Sequence, residues 1–113
     1  MANPMAIFGR AMQAKADGEY HKSLVDFIWL HEHAADVDPL YHALRRSYAL
    51  SGWLELGLVH APALESLRQL LRRKLAQRQQ AGADAALEAD IAAIQGKLGA
   101  LPAPPHPPER TPS

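Results

Sequence analysis

Apolar residues recur along residues 5–100 with the period of an α-helix, and no stretch sustains the two-residue alternation of a half-buried strand. Ala and Leu dominate and β-branched residues are few, which favours helix throughout. Four interruptions divide the pattern: Asp17-Gly18, Asp36-Val37-Asp38-Pro39, Gly57 to Pro62, and Ala81-Gly82-Ala83-Asp84. They predict five helices, about 4–16, 19–35, 39–56, 62–80 and 84–98, with Asp38 as a cap and Pro39 at the first helical position of the third. Four of the five carry one apolar face. Met5, Phe8 and Met12 share a side of the first. Tyr20, Leu24, Phe27, Ile28, His31 and Ala35 form a stripe on the second. Leu64, Leu67, Leu71 and Leu75 line the fourth, and Leu87, Ile91, Ile94 and Leu98 the fifth.

The third helix differs. Leu40, Ala43, Leu50 and Leu54 point one way, Tyr41, Leu44 and Tyr48 a second, and Ala49, Trp53 and Leu56 a third. A helix apolar on nearly every side belongs at the centre of a bundle. Short connections make consecutive helices antiparallel neighbours, so the pattern predicts an all-α fold of two antiparallel hairpins and a C-terminal capping helix. Beyond the helices, six of the nine prolines follow residue 101. The segment PAPPHPPERTPS, residues 102–113, lacks amide donors and buryable side chains. The expected organisation is one helical domain over 1–100 and a Pro-rich disordered tail over 101–113.

The order of residues in the second helix resembles a tetratricopeptide repeat. Ile7 to Ala16 would be helix A, Asp17-Gly18-Glu19-Tyr20 the turn, Ser23-Leu24 the small-then-large pair, and Phe27 the large aromatic position. Asp38-Pro39 closes the unit near the family's 34-residue spacing. A second unit would run from Tyr41 to Gly52 and from Pro62 to Leu75, with Ala63-Leu64 as its pair. The Trp, Gly and Tyr usual in helix A are absent, Ala35 stands where the late proline belongs, and Gly57–Ala61 lengthens the second turn. The resemblance covers about residues 5–75, equally compatible with a short bundle, and it implies a protein-binding role without catalysis.

Composition narrows the chemistry. The chain has no cysteine, which excludes a disulfide framework, a thiolate zinc site and a thiol nucleophile. Twelve basic and twelve acidic residues balance, so electrostatics gives no reason to expect nucleic acid or an anionic membrane. Apolar runs are too short to cross a bilayer. Met1–Arg10 contains Pro4 and Arg10 and no long apolar centre, unlike a secretory leader, and the expected location is cytoplasmic. The cluster Arg68, Arg72, Arg73, Lys74 and Arg78 suits a helix C-terminal half and has no interleaved aromatic to stack bases, which argues against nucleic acid as partner.

Two groups of side chains could carry function. Trp29 lies opposite the Tyr20–His31 stripe, among Lys22, Asp26 and His33; covered by a neighbouring helix it is core, uncovered it is an interface anchor. On the next helix, Arg46 could stack on Trp53 and Arg45 could pair with Glu55 or Asp26, either fixing helix register or recognising an acidic partner. Trp29, His33, Arg45, Arg46 and Trp53 are thus the candidate contacts of a protein-binding face on the second and third helices, requiring no cofactor. The expected role is an adaptor or inhibitor, a bacterial toxin-neutralising immunity protein being one instance. The alternative is a metal-binding or enzymatic bundle built on His31, His33 and His42. His31 and His33 lie about 200° apart on a helix, but His33 and His42 flank the turn at 36–39 and could come level. His31 alone, on the apolar stripe, reads as a core histidine bonded to backbone or tyrosine. No serine sits in a nucleophile elbow, and no glycine-rich phosphate loop is present. Self-association through Leu64–Leu75 or Leu87–Leu98 is a further candidate interaction.

Overall fold

A computed structural model describes residues 3–82 and 84–99; the Pro-rich segment lies outside them. It is all-α, with no strand among the described residues. Six helices follow in order: α1 (Pro4–Ala16), α2 (Tyr20–Val37), α3 (Tyr41–Arg46), α4 (Tyr48–Val59), α5 (Ala61–Ala81) and α6 (Ala85–Gly99). Local chemistry sets their ends. The Asn3 side chain accepts from Met5 N at 2.9 Å, with Pro4 just inside the helix, and Asp84 accepts from Leu87 N at 2.7 Å to start α6. Gly18 closes the α1–α2 turn at φ 79°, a left-handed conformation that a side chain resists.

Two hairpins, α1–α2 and α4–α5, are joined by α3, and α6 caps the stack against α3, α4 and α5. The buried face of α1 is Pro4, Ile7, Ala11 and Ala14, about a third of a turn from the expected Met5 row; Met5 itself is 53% exposed. Small residues there let α2 approach closely, and the buried Ser23 hydroxyl donates to the Ala11 carbonyl at 2.8 Å. The prediction of a central helix holds for α4, which packs against all five others. Ala49, Leu50, Trp53 and Leu56 are buried in it.

The single helix predicted over 39–56 is two. Ser47 interrupts it at φ −121°, ψ −89°; its hydroxyl bonds back to the Ala43 carbonyl at 2.6 Å beside its own N–H at 3.1 Å, a back-bonding that often bends helices. Asp38 caps a turn through Leu40 N at 2.9 Å, so Pro39 lies in that turn and not at the first helical position, and α3 begins after it, at Tyr41. Leu40 and Tyr48, expected inside, are 82% and 70% exposed. Gly57, read as a break, is helical and sits against the Leu64 backbone, where a Cβ would stand 3.1 Å from its Cα. The chain turns instead at His60, and Pro62 opens α5.

Candidate functional site

Arg45 organises the site. It is buried at the end of α3, and all three guanidinium nitrogens donate. Nε reaches the His31 carbonyl at 2.7 Å, Nη1 reaches His42 Nδ1 at 3.1 Å and Asp90 Oδ1 at 3.0 Å, and Nη2 reaches His31 Nε2 at 3.3 Å and Asp90 Oδ2 at 3.2 Å. Asp90 comes from α6 and also accepts from Arg46 Nε at 2.8 Å and Lys74 Nζ at 3.1 Å. One carboxylate therefore ties α3, α5 and α6 together. Burial would raise its pKa, but the hydrogen bonds from Arg45 and Arg46 and the charge of Lys74 outweigh that and hold it below the ordinary carboxylate range.

His31 is 3% exposed. Burial lowers its pKa to about 3, helped by the positive charges of Arg45 and Lys74, so the ring is neutral at pH 7. A guanidinium only donates, so Nε2 accepts and the ring proton sits on Nδ1. That Nδ1 is buried and has no partner among the described residues.

Several expected pairings resolve differently. Arg45 binds neither Glu55, which pairs with Lys15, nor Asp26, which holds Arg10 through bonds of 2.9 and 2.7 Å. Arg46 meets Asp90 and the Ala86 carbonyl instead of stacking on Trp53. Trp53 is 2% exposed; its indole donates to the Ala63 carbonyl at 2.9 Å, and its ring meets His31 edge-on at 6.4 Å. His31 is bonded by Arg45 through both its carbonyl and its ring, not by tyrosine. The histidine grouping does not form: His31 and His42 both face the Arg45 guanidinium, and His33 is exposed on α2 with Asp36 at 3.5 Å. No group of three metal-ligating side chains stands together among the described residues.

Of the five candidate contacts, Trp29 and His33 stay at the surface, ring centroids 5.7 Å apart, while Arg45 and Trp53 are inside and Arg46 is largely covered. Trp29 is half-buried: it packs on the core and also lines surface cavities of about 530 and 370 Å³ on its two sides. Val25 and Val37 lie in the same row, 51% and 43% exposed. Leu67, Leu70, Leu87, Ile91 and Ile94 are spent in the chain's own core. Sequence reasoning missed Asp90; its signal is a carboxylate three residues after Leu87, on the stripe that Ile91 and Ile94 continue. No helix among the described residues is long and apolar enough to cross a membrane. No protein-family model, curated protein or solved structure matches this chain.

Proposed function

We propose that the protein is a non-catalytic protein–protein interaction module whose contact surface is the outer face of α2. The observation that carries this reading is the row Val25, Trp29, His33, Val37, four successive i+4 positions with a half-buried indole at its centre. Such a row is the geometry by which helices dock on one another, and a large aromatic flanked by cavities is a good anchor. The charges beside it define the partner. Glu32, Asp36 and Asp38 gather at the C-terminal end of α2, where the helix dipole is also negative. The fitting partner is an amphipathic helix of another protein with Lys or Arg set against Glu32 and Asp36. Adaptors and inhibitors both work this way, and a bacterial toxin-neutralising protein is one form of the latter. The tetratricopeptide-like order of two hairpins and a cap supports the same role.

The test is a partner captured from cells by the full chain and then reconstituted pure. Binding should fall at least about tenfold, or about 1.4 kcal/mol, with Trp29→Ala and again with Val25→Asp, and should persist with Arg68→Ala on α5. Binding indifferent to Trp29→Ala would overturn the reading. So would a homodimer of the purified chain that Trp29→Ala dissociates, because the occupant of the face would then be a second copy.

A further inference from the structure

The other side of α2 carries a different feature. α2 and α5 both flank α4 and leave a cleft between them, in which two cavities adjoin. One, of about 470 Å³, has Ile28 and Trp53 in its lining; the next, of about 350 Å³, has Arg45 and Lys74; His31, Glu32, Leu70 and Arg73 border both. Apolar surface thus lies toward one end of the cleft and an excess of cations toward the other.

The cationic end is only partly neutralised from within. Arg45, Arg46 and Lys74 share the single carboxylate of Asp90, with side chains only 7%, 24% and 15% exposed. Two positive charges are left in excess in a half-dry environment, where an uncompensated charge is expensive. Arg73 adds an exposed guanidinium that pairs with no carboxylate among the described residues. Glu32 borders both cavities and offsets one of these charges, which still leaves the cations in excess; among the described residues its sole partner within 4.0 Å is the His33 imidazole, on its own helix. The buried Nδ1–H of His31 is a further donor with no acceptor among the described residues. Cations in excess and an orphan donor, next to an apolar pocket, call for an anion with an apolar body.

We propose that this cleft binds a small amphiphilic carboxylic acid in its ionised form, the apolar body against Ile28, Trp53 and Leu70 and the carboxylate at Arg73 and Lys74, in the cavity that His31 borders. A free small molecule is favoured over a partner's acidic side chain because the two adjoining cavities, of about 470 and 350 Å³, have the size of a small-ligand pocket. A carboxylate is favoured over inorganic phosphate because only an anion with an apolar body fills both cavities. The site lies apart from the row Val25, Trp29, His33, Val37 and meets the proposed partner surface only at Glu32, and its test needs no protein partner.

The full chain bearing Trp29→Phe leaves Trp53 as the sole indole, which then reports on the cleft. It is titrated with 3-phenylpropanoate, 3-phenylpropanol, inorganic phosphate, and a capped tetrapeptide carrying adjacent Phe and Glu. A saturable change in Trp53 emission is expected with phenylpropanoate, together with a shift of the His31 Nδ1 proton in NMR spectra. Arg73→Glu should weaken that affinity at least about tenfold and Arg73→Ala by less. Arg73 is exposed and holds no element in place, so both variants should melt like the parent. The proposal fails if phenylpropanoate gives no saturable change up to about 10 mM. It fails equally if the alcohol or phosphate binds as well, if Arg73→Glu leaves the affinity unchanged, or if the peptide binds more tightly than the free acid.

Discussion

Gly52 on α4 lies directly against the ring of Phe27 on α2: a Cβ at Gly52 would stand 2.7 Å from Phe27 Cζ and 3.1 Å from Met12 Sδ. Phe27 is fully buried, so its ring has little room to retreat. Gly52→Ala should therefore destabilise by about 1–3 kcal/mol, overcoming the ~1 kcal/mol that alanine gains over glycine within a helix. Gly9, on the exposed side of α1 with nothing within 4 Å of a built Cβ, should show the opposite sign, Gly9→Ala stabilising by up to about 1 kcal/mol. Urea unfolding of both variants checks the pair. A stabilising Gly52→Ala would mean that α2 and α4 lie further apart than the structure places them.

Asp90 is the sole counter-ion of Arg45, Arg46 and Lys74 among the described residues. Asp90→Asn keeps the shape and removes the charge, leaving three cations together in a covered position. The expected loss is about 3–5 kcal/mol, typical of removing one partner from a buried ion pair. Combining Asp90→Leu with Arg45→Met removes both halves of the central pair and should cost less than Asp90→Asn alone. Denaturant midpoints of the three proteins decide it, and a loss below about 1 kcal/mol for Asp90→Asn would show the network to be solvated.

His31 titrates at about 3 in the folded protein and near the ordinary 6.5 when unfolded. Between these values the unfolded chain holds the extra proton, so stability rises with pH and is lost as pH falls below 6.5. The contribution is complete above pH 6.5 and falls by about 2 kcal/mol on going from pH 7.5 to 5. Asp90 adds nothing in that window, since its carboxylate stays ionised below the ordinary range. His31→Asn cannot titrate, so it should flatten the pH dependence by that amount even though it is less stable at pH 7.5. Chemical denaturation at the two pH values measures the difference, and parallel curves for parent and variant would show that the imidazole is hydrated.

The helical architecture was legible because it rests on local rules: a 3.6-residue period and an Asp-Gly turn. The centrality of α4 was legible too, since Ala49, Trp53 and Leu56 leave no polar side to face water. What escaped sequence reasoning is long-range or competitive. Ser47 gives no warning that the backbone will leave helical geometry there and divide a helix. Arg45 carries no label for a carboxylate 45 residues away. Asp26 and Glu55 look as suitable, and only the stacking of α6 on α3 and α5 selects Asp90. The indoles illustrate both limits. Trp53 looked available because the pattern around it was apolar on all sides, but an all-round apolar helix buries every large residue it carries.

Trp29 and Trp53 therefore supply the sharpest test of where the outer surface lies. Trp53→Ala empties a fully buried site and strands the Ala63 carbonyl that the indole satisfies, so it should cost about 3–5 kcal/mol. Trp29→Ala removes a ring that is half in water and bordered by open cavities, so it should cost less than about 1.5 kcal/mol. Fluorescence separates the two residues without relying on stability. With Trp53→Phe, the remaining Trp29 should emit to the red and be quenched by iodide. With Trp29→Phe, the remaining Trp53 should emit to the blue and be protected. Equal losses from the two alanine variants, with equal shielding from iodide, would place Trp29 in the core, and the row from Val25 to Val37 would have no anchor to offer another helix.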